Sequence, residues 1–328
     1  MRFSSGMLYL LAFIIPALAT VIVAPVWKRW CEKSGLIDQP GHRKIHSEPI
    51  ALAGGLSVMT GILATILGSY IVLFVNFPDL STAEKFVYGF GKRFDQLSAV
   101  CGGSIAMLAL GWLDDKNELK PSVKFLGQIV IALATAFAGV RITLFIENQI
   151  ISYIITVLWI LTIVNAMNFL DNMNGLCAGL TIIAAATFGS IAAIREQYLV
   201  SSFCWLVAGA FFGFLPFNYP KARMFLGDAG SHLAGYLVAV IAILPHFYSK
   251  KHPVEWAVIT PLIVLAVQLF DITQVVIRRI LNKKPIYIGD TNHISHLLTR
   301  KGFSREAAVG LIWAVAAVFG FIGLIINV

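Results

Sequence analysis

Residues 150–193, IISYIITVLWILTIVNAMNFLDNMNGLCAGLTIIAAATFGSIAA, decide the class of fold. They contain two apolar windows, 150–167 and 175–193, each close to the roughly 20 residues that a helix needs to cross a membrane. Neither window alternates apolar and polar side chains with the period of two that a membrane barrel requires. Because every backbone polar group in lipid must be paired internally, uninterrupted apolar runs of this length predict helices. The stretch therefore predicts two membrane-spanning helices joined by a short polar turn.

The same pattern recurs along the whole chain. Ten apolar windows cover residues 6–27, 51–76, 96–113, 123–140, 150–167, 175–193, 198–216, 230–247, 255–277 and 306–327. The connections between them leave no room for a soluble domain, and we find no internal repeat. We therefore expect residues 1–328 to form a single integral membrane domain, an all-α polytopic helix bundle with about ten transmembrane helices.

The composition agrees with a membrane protein. Of the 328 residues, 58% are hydrophobic and 13% are charged, whereas a soluble domain is about half apolar and a quarter charged. This excludes a conventional soluble enzyme, a disordered chain and a disulfide scaffold. The four cysteines form no CxxC pair, so they indicate no metal site or disulfide framework. The formal net charge of +8 would suit a nucleic-acid binder, but basic cytoplasmic loops are its commoner cause in so apolar a chain.

Lysine and arginine are unevenly divided between alternate connections. One set of connections carries 17 of the 25 basic residues and the other carries 8. Because cytoplasmic loops are enriched in basic residues, we expect the first set inside and both termini outside. The first window is expected to be retained rather than cleaved as a signal peptide, since its positive charges follow the apolar run.

The cytoplasmic set of connections also holds most of the side chains that could carry chemistry. These connections are residues 28–50, 114–122, 168–174, 217–229 and 278–305. The connections on the other side resemble plain links between helices. Polar residues that converge on one membrane face predict a site that is open to soluble cytoplasmic substrates.

Asp114 and Asp115 end the third window, in GWLDDKNELKPSVKFLGQ. Adjacent carboxylates repel each other unless a cation lies nearby. The pair is either a solvated helix end partnered by Lys116 or part of a magnesium-dependent phosphate site, since Mg²⁺ takes carboxylates and substrate phosphates as ligands.

Amide and carboxylate side chains crowd the turn between the two quoted windows. They are Asn165, Asn168, Asp171, Asn172 and Asn174. Polar side chains at membrane depth are costly and usually face a cavity or a partner helix. By helical spacing several share one face, so they form either a hydrogen-bonded seam or a set of oxygen ligands for a metal or a nucleotide.

Asp228 lies between glycines in RMFLGDAGSHLAGY. A helix that begins near Ser231 would offer free N–H groups to an anion. Asp228 and Ser231 are therefore either simple N-caps or parts of a ligand site, and both can hold together.

Two basic loops and one carboxylate within a predicted span complete the set. His293 and His296 lie in GDTNHISHLLTRKGFS, where two histidines make a poor zinc site and diphosphate binding is the better hypothesis. The loop PGHRKIHSEP, residues 40–49, suits a lipid phosphate better than nucleic acid. Asp271, inside the ninth window, is either functional or paired with an Arg or Asn of a neighbouring helix.

In order and spacing, these motifs resemble the polyprenyl-phosphate N-acetylhexosamine-1-phosphate transferase family, relatives of the phospho-MurNAc-pentapeptide translocase. The resemblance covers essentially the whole chain, through LIDQPGHRKIHSEPIALAGG, GWLDDK, NAMNFLDNMNGL, FLGDAGS, DITQVVIRR and HISHLL. It implies a multi-pass enzyme of the bacterial inner membrane with its active site facing the cytoplasm. The implied reaction transfers N-acetylhexosamine-1-phosphate, by default GlcNAc-1-phosphate, from a UDP-sugar to undecaprenyl phosphate and releases UMP. Such a step begins a cell-surface glycan such as teichoic acid or lipopolysaccharide.

The resemblance also implies partners and roles. The partners are UDP-N-acetylhexosamine, undecaprenyl phosphate and membrane lipids, without nucleic acid, and a homodimer is compatible with it. The cofactor is Mg²⁺, with Mn²⁺ as a substitute, held by Asp228 with Asn168 or Asp171. Catalytic candidates are Asp114, Asp115, Asp171 and His293, of which the first two lie near the lipid phosphate, either as a base or for orientation. Candidates for binding substrate or phosphate are Arg43, Lys44, His46, Lys124, Asn165, Asn174 and His296.

The chain departs from the family pattern in two motifs. The usual Asp-Gly-x-Asp-Gly is Asp171-Asn172-Met173-Asn174-Gly175 here, which argues against Asn174 as a base or charged ligand. The usual His-x-His-His is His293-Ile294-Ser295-His296, with serine in the third place.

Two other classes of protein compete with the enzyme. Ten spans and a carboxylate in a span fit a transporter, but a transporter would place its polar residues near the midplane, usually between repeats. A membrane scaffold without catalysis leaves the dense Asp and Asn set unexplained. Release of UMP distinguishes the enzyme from both.

Overall fold

The computed structural model describes residues 5–40, 48–75, 88–143, 146–248, 253–285 and 291–328. Among these residues the structure is almost entirely helical. The helices are α1 (Ser5–Ser34), α2 (Gly54–Val75), α3 (Phe94–Asn117), α4 (Pro121–Phe137), α5 (Gln149–Leu170), α6 (Leu176–Ile194), α7 (Tyr198–Asn218), α8 (Gly227–Ile241), α9 (Thr260–Val264), α10 (Ala266–Leu281), α11 (Ile294–Arg300) and α12 (Arg305–Asn327). A 3₁₀ turn, Glu255–Ile259, precedes α9, and the strands β1 (Ile37–Asp38) and β2 (Ile50–Ala51) pair antiparallel.

Each of the ten apolar windows coincides with helical structure, which confirms an all-α membrane bundle. In the described part of the chain, seven helices are long and apolar enough to cross a membrane. An eighth span results if the segment 255–264 and α10, which meet at a bend of 64°, count as one. Helix α4 has 17 residues and α8 has 15, both shorter than the roughly 20 of a full span. The count of ten spans and the placement of both termini outside therefore stay predictions.

Helix α8 lies inside the bundle, because every residue from Ala229 to Ile241 is buried. A helix that is apolar on all sides is stable only when other helices surround it. Helices α3 and α5 pack against it most extensively. The backbone of α5 comes so close at Val164 that a Cβ built on Gly235 would lie 2.5 Å from the Val164 Cα. The start of α8, which carries Asp228, is therefore held in a fixed position between neighbouring helix ends.

The β1–β2 hairpin ties the start of α2 to the segment that leads into α8. Ile37 pairs with Ala51, whose carbonyl oxygen accepts the N–H of Phe225 at 2.9 Å. The N–H of Gly54 in turn donates to the Phe225 carbonyl oxygen, also at 2.9 Å. The hairpin flanks residues 41–47, so the predicted site residues Arg43, Lys44 and His46 lie outside the described residues.

Candidate active site

Asp115 joins the end of α3 to the start of α8. Its Oδ1 accepts the N–H of Asp228 at 2.7 Å, and its Oδ2 accepts the N–H of Ala229 at 3.0 Å. The first N–H groups of a helix have no partner within the helix and carry partial positive charge, so a carboxylate is stabilised there. Both oxygens of Asp115 thus hold α8, which begins at Gly227 rather than near Ser231 as the sequence predicted.

Lys124, near the start of α4, connects two carboxylates. Its Nζ lies 2.5 Å from Oδ2 of Asp114 and 3.1 Å from Oδ2 of Asp228. Asp114 is buried, so the structure contradicts the alternative of a solvated helix end. The cation that partners it is Lys124 and not Lys116, whose Nζ lies 5.4 Å from the centre of the Trp112 ring.

Asn168, in the last turn of α5, holds the other oxygen of Asp228. Its Nδ2 donates to Oδ1 of Asp228 at 2.6 Å and to Oγ of Ser231 at 2.9 Å. Asp228 therefore lies where α4, α5 and α8 meet, with one carboxylate oxygen facing Lys124 and the other facing Asn168.

Asp171 directly follows α5 and is a further carboxyl group within reach of the charges of Asp228 and Asp115. Its burial and the nearby carboxylates of Asp228 and Asp115 raise the pKa of Asp171 to about 8. Like charges make ionisation of a carboxyl group costly unless a cation compensates them. At pH 7 the Asp171 carboxyl group is therefore mostly protonated, and a cation bound beside it would favour its ionised form.

The other amides of the Asn-rich segment serve as connections between elements. Asn165 donates to Oε1 of Gln128 on α4 at 2.8 Å, one turn deeper than Asn168. Asn174 donates to the carbonyl oxygen of Pro220 at 3.0 Å. Helix α5 ends at Leu170, so Asn174 belongs to the turn and not to the helical face of Asn168. For the Asn-rich turn, the sequence allowed either hydrogen bonds between elements or ligands for a metal or nucleotide. The contacts of Asn165 and Asn174 are of the first kind.

The histidine segment docks beside the end of α5. Nδ1 of His293 lies 2.7 Å from Oδ2 of Asp271 on α10, and the His293 ring meets the edge of the Phe169 ring at 5.7 Å between centres. Oγ of Ser295 donates to Oδ1 of Asn172 at 2.6 Å. Asp271 thus pairs with a histidine and not, as one alternative had it, with an Arg or Asn.

His296 lies next to His293, with 6.4 Å between the ring centres. Burial and the neighbouring His293, Arg300 and Arg305 lower the pKa of His296 below its usual value. Its imidazole is therefore mostly neutral at pH 7, and it would hold a phosphate through an N–H group rather than through charge.

Sequence reasoning did not single out Gln128, nor the link from Ser231 to Asn168. A signal for Gln128 was present, because it follows Lys124 by four residues and so lies on the same face of α4. The contact between Asp271 and His293 joins residues 22 positions apart, and no spacing rule indicates it.

The carboxylates of the site suit a divalent cation by their chemistry. Mg²⁺ takes hard oxygen ligands and is usually held by one or two carboxylates together with substrate phosphates. Burial and the neighbouring carboxylates raise the pKa of Asp171, and a cation bound there would lower it. Asp228 and Asp171 are the donors that fit this role. In the described ranges, no group of three or more His, Cys, Asp or Glu residues is arranged to hold an ion without substrate.

Comparisons with known proteins agree with one another. Residues 97–246 match the family model described as glycosyl transferase family 4. The chain is 32% identical to a Bacillus subtilis protein named "probable undecaprenyl-phosphate N-acetylglucosaminyl 1-phosphate transferase", over 96% of this chain and 84% of that protein. It is 30% identical to the decaprenyl-phosphate N-acetylglucosaminephosphotransferase of Mycolicibacterium smegmatis, over 88% and 74%. It is 27% identical to the undecaprenyl-phosphate alpha-N-acetylglucosaminyl 1-phosphate transferase of Escherichia coli K12, over 91% and 78%. The chain therefore belongs to the polyprenyl-phosphate N-acetylglucosaminyl-1-phosphate transferase family.

Proposed function

We propose that this membrane protein transfers N-acetylhexosamine-1-phosphate, with GlcNAc as the sugar, from a UDP-sugar to undecaprenyl phosphate and releases UMP. The names of its relatives support the reaction. The structural observation that carries it is the convergence on Asp228 of carboxylates and a cation from separate helix ends. Lys124 joins Asp228 to Asp114, and Asp115 accepts the N–H of Asp228. The charge of Asp228 also acts on Asp171. The cytoplasmic orientation of the site, a place in cell-surface glycan synthesis and a homodimer are part of the proposal.

The reaction brings a diphosphate and a second phosphate together, so neutralisation of negative charge dominates its chemistry. Mg²⁺, with Mn²⁺ as a substitute, would supply that neutralisation when bound, with Asp228 and Asp171 as its protein ligands. Asn168 keeps the Asp228 carboxylate in one orientation through the 2.6 Å contact to Oδ1. Positioning of this kind contributes to catalysis because a reacting group held in place loses less freedom in the transition state.

Lys124 is the cation that we expect to meet the reacting phosphates, because it contacts the carboxylates of the site. Its Nζ is held between Asp114 and Asp228, and its side chain is mostly buried. An ammonium group binds phosphate as a point charge and has three donors. Lys124 can therefore keep its contact with Asp114 while it donates to a phosphate oxygen of a substrate.

Neither Asp114 nor Asp115 is required as a base. A phosphate monoester loses its second proton with a pKa near 6, so the lipid phosphate is mostly dianionic at pH 7 and is itself the nucleophile. Both oxygens of Asp115 accept backbone N–H groups, and those of Asp114 face Lys124 and the N–H of Leu119. We expect Asp115 to orient the start of α8 and Asp114 to orient Lys124.

The contacts of the site favour an enzyme over a transporter. A transporter holds its substrate near the membrane midplane in broken helices that belong to repeats. Here the polar contacts join the end of α3, the starts of α4 and α8, and the turn after α5, all at one end of the bundle.

The test is an assay of the purified chain in detergent with undecaprenyl phosphate, Mg²⁺ and a panel of UDP-sugars. We expect UMP and a lipid-linked sugar to form only with the lipid, the metal ion and one UDP-N-acetylhexosamine. Removal of Mg²⁺ by EDTA should stop the reaction, and added Mg²⁺ should restore it.

A pair of variants places the reaction in this site. Asp228→Asn should lower turnover by roughly 100-fold or more, since an oriented charge in the site is lost. Asp95→Asn, which changes an exposed carboxylate in the first turn of α3 at its other end, should retain activity. Folded protein that releases no UMP with any donor would refute the reaction. Full activity of Asp228→Asn would refute the site, and full activity in EDTA would refute the metal ion.

A further inference from the structure

Asp271 does not contact Lys124 or Asp228, yet it is completely buried on α10. Its two oxygens have different partners in the histidine segment. Oδ2 lies 2.7 Å from Nδ1 of His293, and Oδ1 accepts the N–H of Ile294, the first residue of α11, at 2.8 Å. A single carboxylate therefore holds both the ring of His293 and the backbone that follows it.

This arrangement determines which nitrogen of His293 can face a substrate. An ionised carboxylate only accepts hydrogen bonds, so Nδ1 carries the hydrogen that points to Asp271. Nε2 is then the ring nitrogen that remains for another partner. Because Oδ1 also accepts the Ile294 N–H, the same carboxylate fixes the backbone next to His293 as well as its ring.

Further contacts fix the segment relative to α5. Nε2 of Gln274, one turn after Asp271 on α10, donates to the carbonyl oxygen of Asn292 at 2.8 Å. The His293 ring meets the ring of Phe169 at an angle of 64°. Phe169 directly follows Asn168 and precedes Asp171 by two residues, so the ring of His293 lies beside the part of α5 that belongs to the active site.

We propose that Asp271 is a positioning residue for the transfer reaction, acting through His293. It keeps the hydrogen on Nδ1 and directs Nε2 toward a phosphate oxygen of the substrates. The proposal rests on the function proposed above and extends it by a residue that touches neither substrate nor metal ion. In this arrangement Asp271 and His293 act as one unit, and removal of either should remove the same contribution to turnover.

The experiment compares Asp271→Asn, His293→Ala and the double variant by kcat and KM for both substrates. Asparagine has the shape of aspartate and can still accept the Ile294 N–H, but its amide cannot at the same time accept from Nδ1 in the same geometry. We expect kcat to fall by about 10- to 100-fold in Asp271→Asn, as for other residues that orient a ligand histidine. The unfolding temperature and the KM values should change little.

The double variant separates positioning from a general structural role. If Asp271 acts through His293, adding Asp271→Asn to His293→Ala should change kcat less than twofold, since effects within one unit are not additive. Thr273→Ala, at an exposed position of the same helix, serves as the control and should behave like the parent chain. Full kcat in Asp271→Asn, or an equal loss from this change with and without His293, would overturn the proposal.

A measurement that does not depend on turnover tests the positioning of His293 by Asp271 separately from the proposed reaction. ¹⁵N spectra of histidine-labelled protein, with the His293 signals identified by their loss in His293→Ala, should show hydrogen on Nδ1 in the parent chain and a changed pattern in Asp271→Asn. An inactive parent chain with this pattern would refute the proposed reaction but support the hold of Asp271 on His293. An unchanged pattern in Asp271→Asn would overturn the positioning role whether or not the enzyme is active.

Discussion

Gly227 forms the turn that brings the start of α8 against Asp115. It has φ of +71° and begins α8 at the point where Asp115 receives the N–H groups of Asp228 and Ala229. Residues other than glycine are strained in this backbone region. A Cβ at this position would also lie 2.6 Å from Oδ2 of Asp115, closer than van der Waals contact allows. A side chain here would therefore both strain the turn and push Asp115 away from the start of α8.

We predict that Gly227→Ala destabilises the protein by about 1–2 kcal/mol through backbone strain alone. It should also lower turnover by at least roughly 10-fold, because displacement of Asp115 moves Asp228 relative to Lys124. Thermal unfolding in detergent and UMP release measure the two effects. Gly102→Ala in α3 is the matched control, since a Cβ there has nothing within 4 Å. If Gly227→Ala and Gly102→Ala changed stability and UMP release equally, the turn at Gly227 would have no special role in the site.

At the scale of elements, α11 docks on the turn after α5 through Ser295, one of the departures from the family pattern, and through Asn172. Asn172 stands where the family pattern has glycine, and Ser295 stands where it has histidine. The two side chains are partners, with the Ser295 hydroxyl donating to Oδ1 of Asn172 at 2.6 Å. Ser295 is completely buried, so a larger histidine in its place would need a different arrangement of this turn. Asn172 and Ser295 therefore form one structural feature that joins α11 to the turn.

We predict that Asn172→Ala and Ser295→Ala are coupled by about 1 kcal/mol in the free energy of unfolding, the value of a typical hydrogen bond. A double-mutant cycle from unfolding in detergent measures this coupling. Thr299→Ala on the same helix, whose hydroxyl donates to the His296 carbonyl oxygen, should be additive with Asn172→Ala. Additivity of the first pair as well would show that the contact does not hold α11 in place.

The elements themselves were largely predictable, whereas their contacts were not. The windows 150–167 and 175–193 correspond to α5 and α6 because long apolar runs in lipid have few alternatives to the helix. The start of α8 was misplaced by four residues, because Asp115, which holds that start, is 112 residues earlier than Gly227. Sequence patterns identify an N-cap residue that directly precedes its helix. They cannot identify a side chain from another helix, such as Asp115, that binds the first N–H groups.

At the scale of the whole molecule, the sequence predicted that the polar residues meet, but not how they are paired. The contacts of Lys124 with Asp114 and Asp228 confirm that separate connections converge at one end of the bundle. Asp114 pairs with Lys124 rather than Lys116 because of the orientation of α4 relative to α3. The spacing of charges along the chain does not predict that orientation. The side of the membrane on which this end lies is a prediction from the loop charges and from the family resemblance.

That orientation can be tested through two positions at opposite ends of the bundle. Lys221 follows Pro220, whose carbonyl oxygen binds Asn174 beside the active site, and it is exposed. Glu147 is exposed just before α5, whose 22 residues span about 33 Å between this end and the site. Of the four native cysteines, three are buried, so replacement of Cys101 by serine leaves a background with little reactivity.

In this background, we predict that a membrane-impermeant maleimide labels Glu147→Cys in intact cells and labels Lys221→Cys only after the membrane is permeabilised. The physical reason is that connections with 17 of the 25 basic residues, including the one with Lys221, are retained on the cytoplasmic side during insertion. The substrates give the same expectation, because a nucleotide sugar made in the cytosol must reach Lys124 and Asp228 from that side. Labelling of Lys221→Cys in intact cells would place the site outside, where it would need an exported donor. If only Glu147→Cys is labelled in intact cells, the active site faces the cytoplasm, as the loop charges predict.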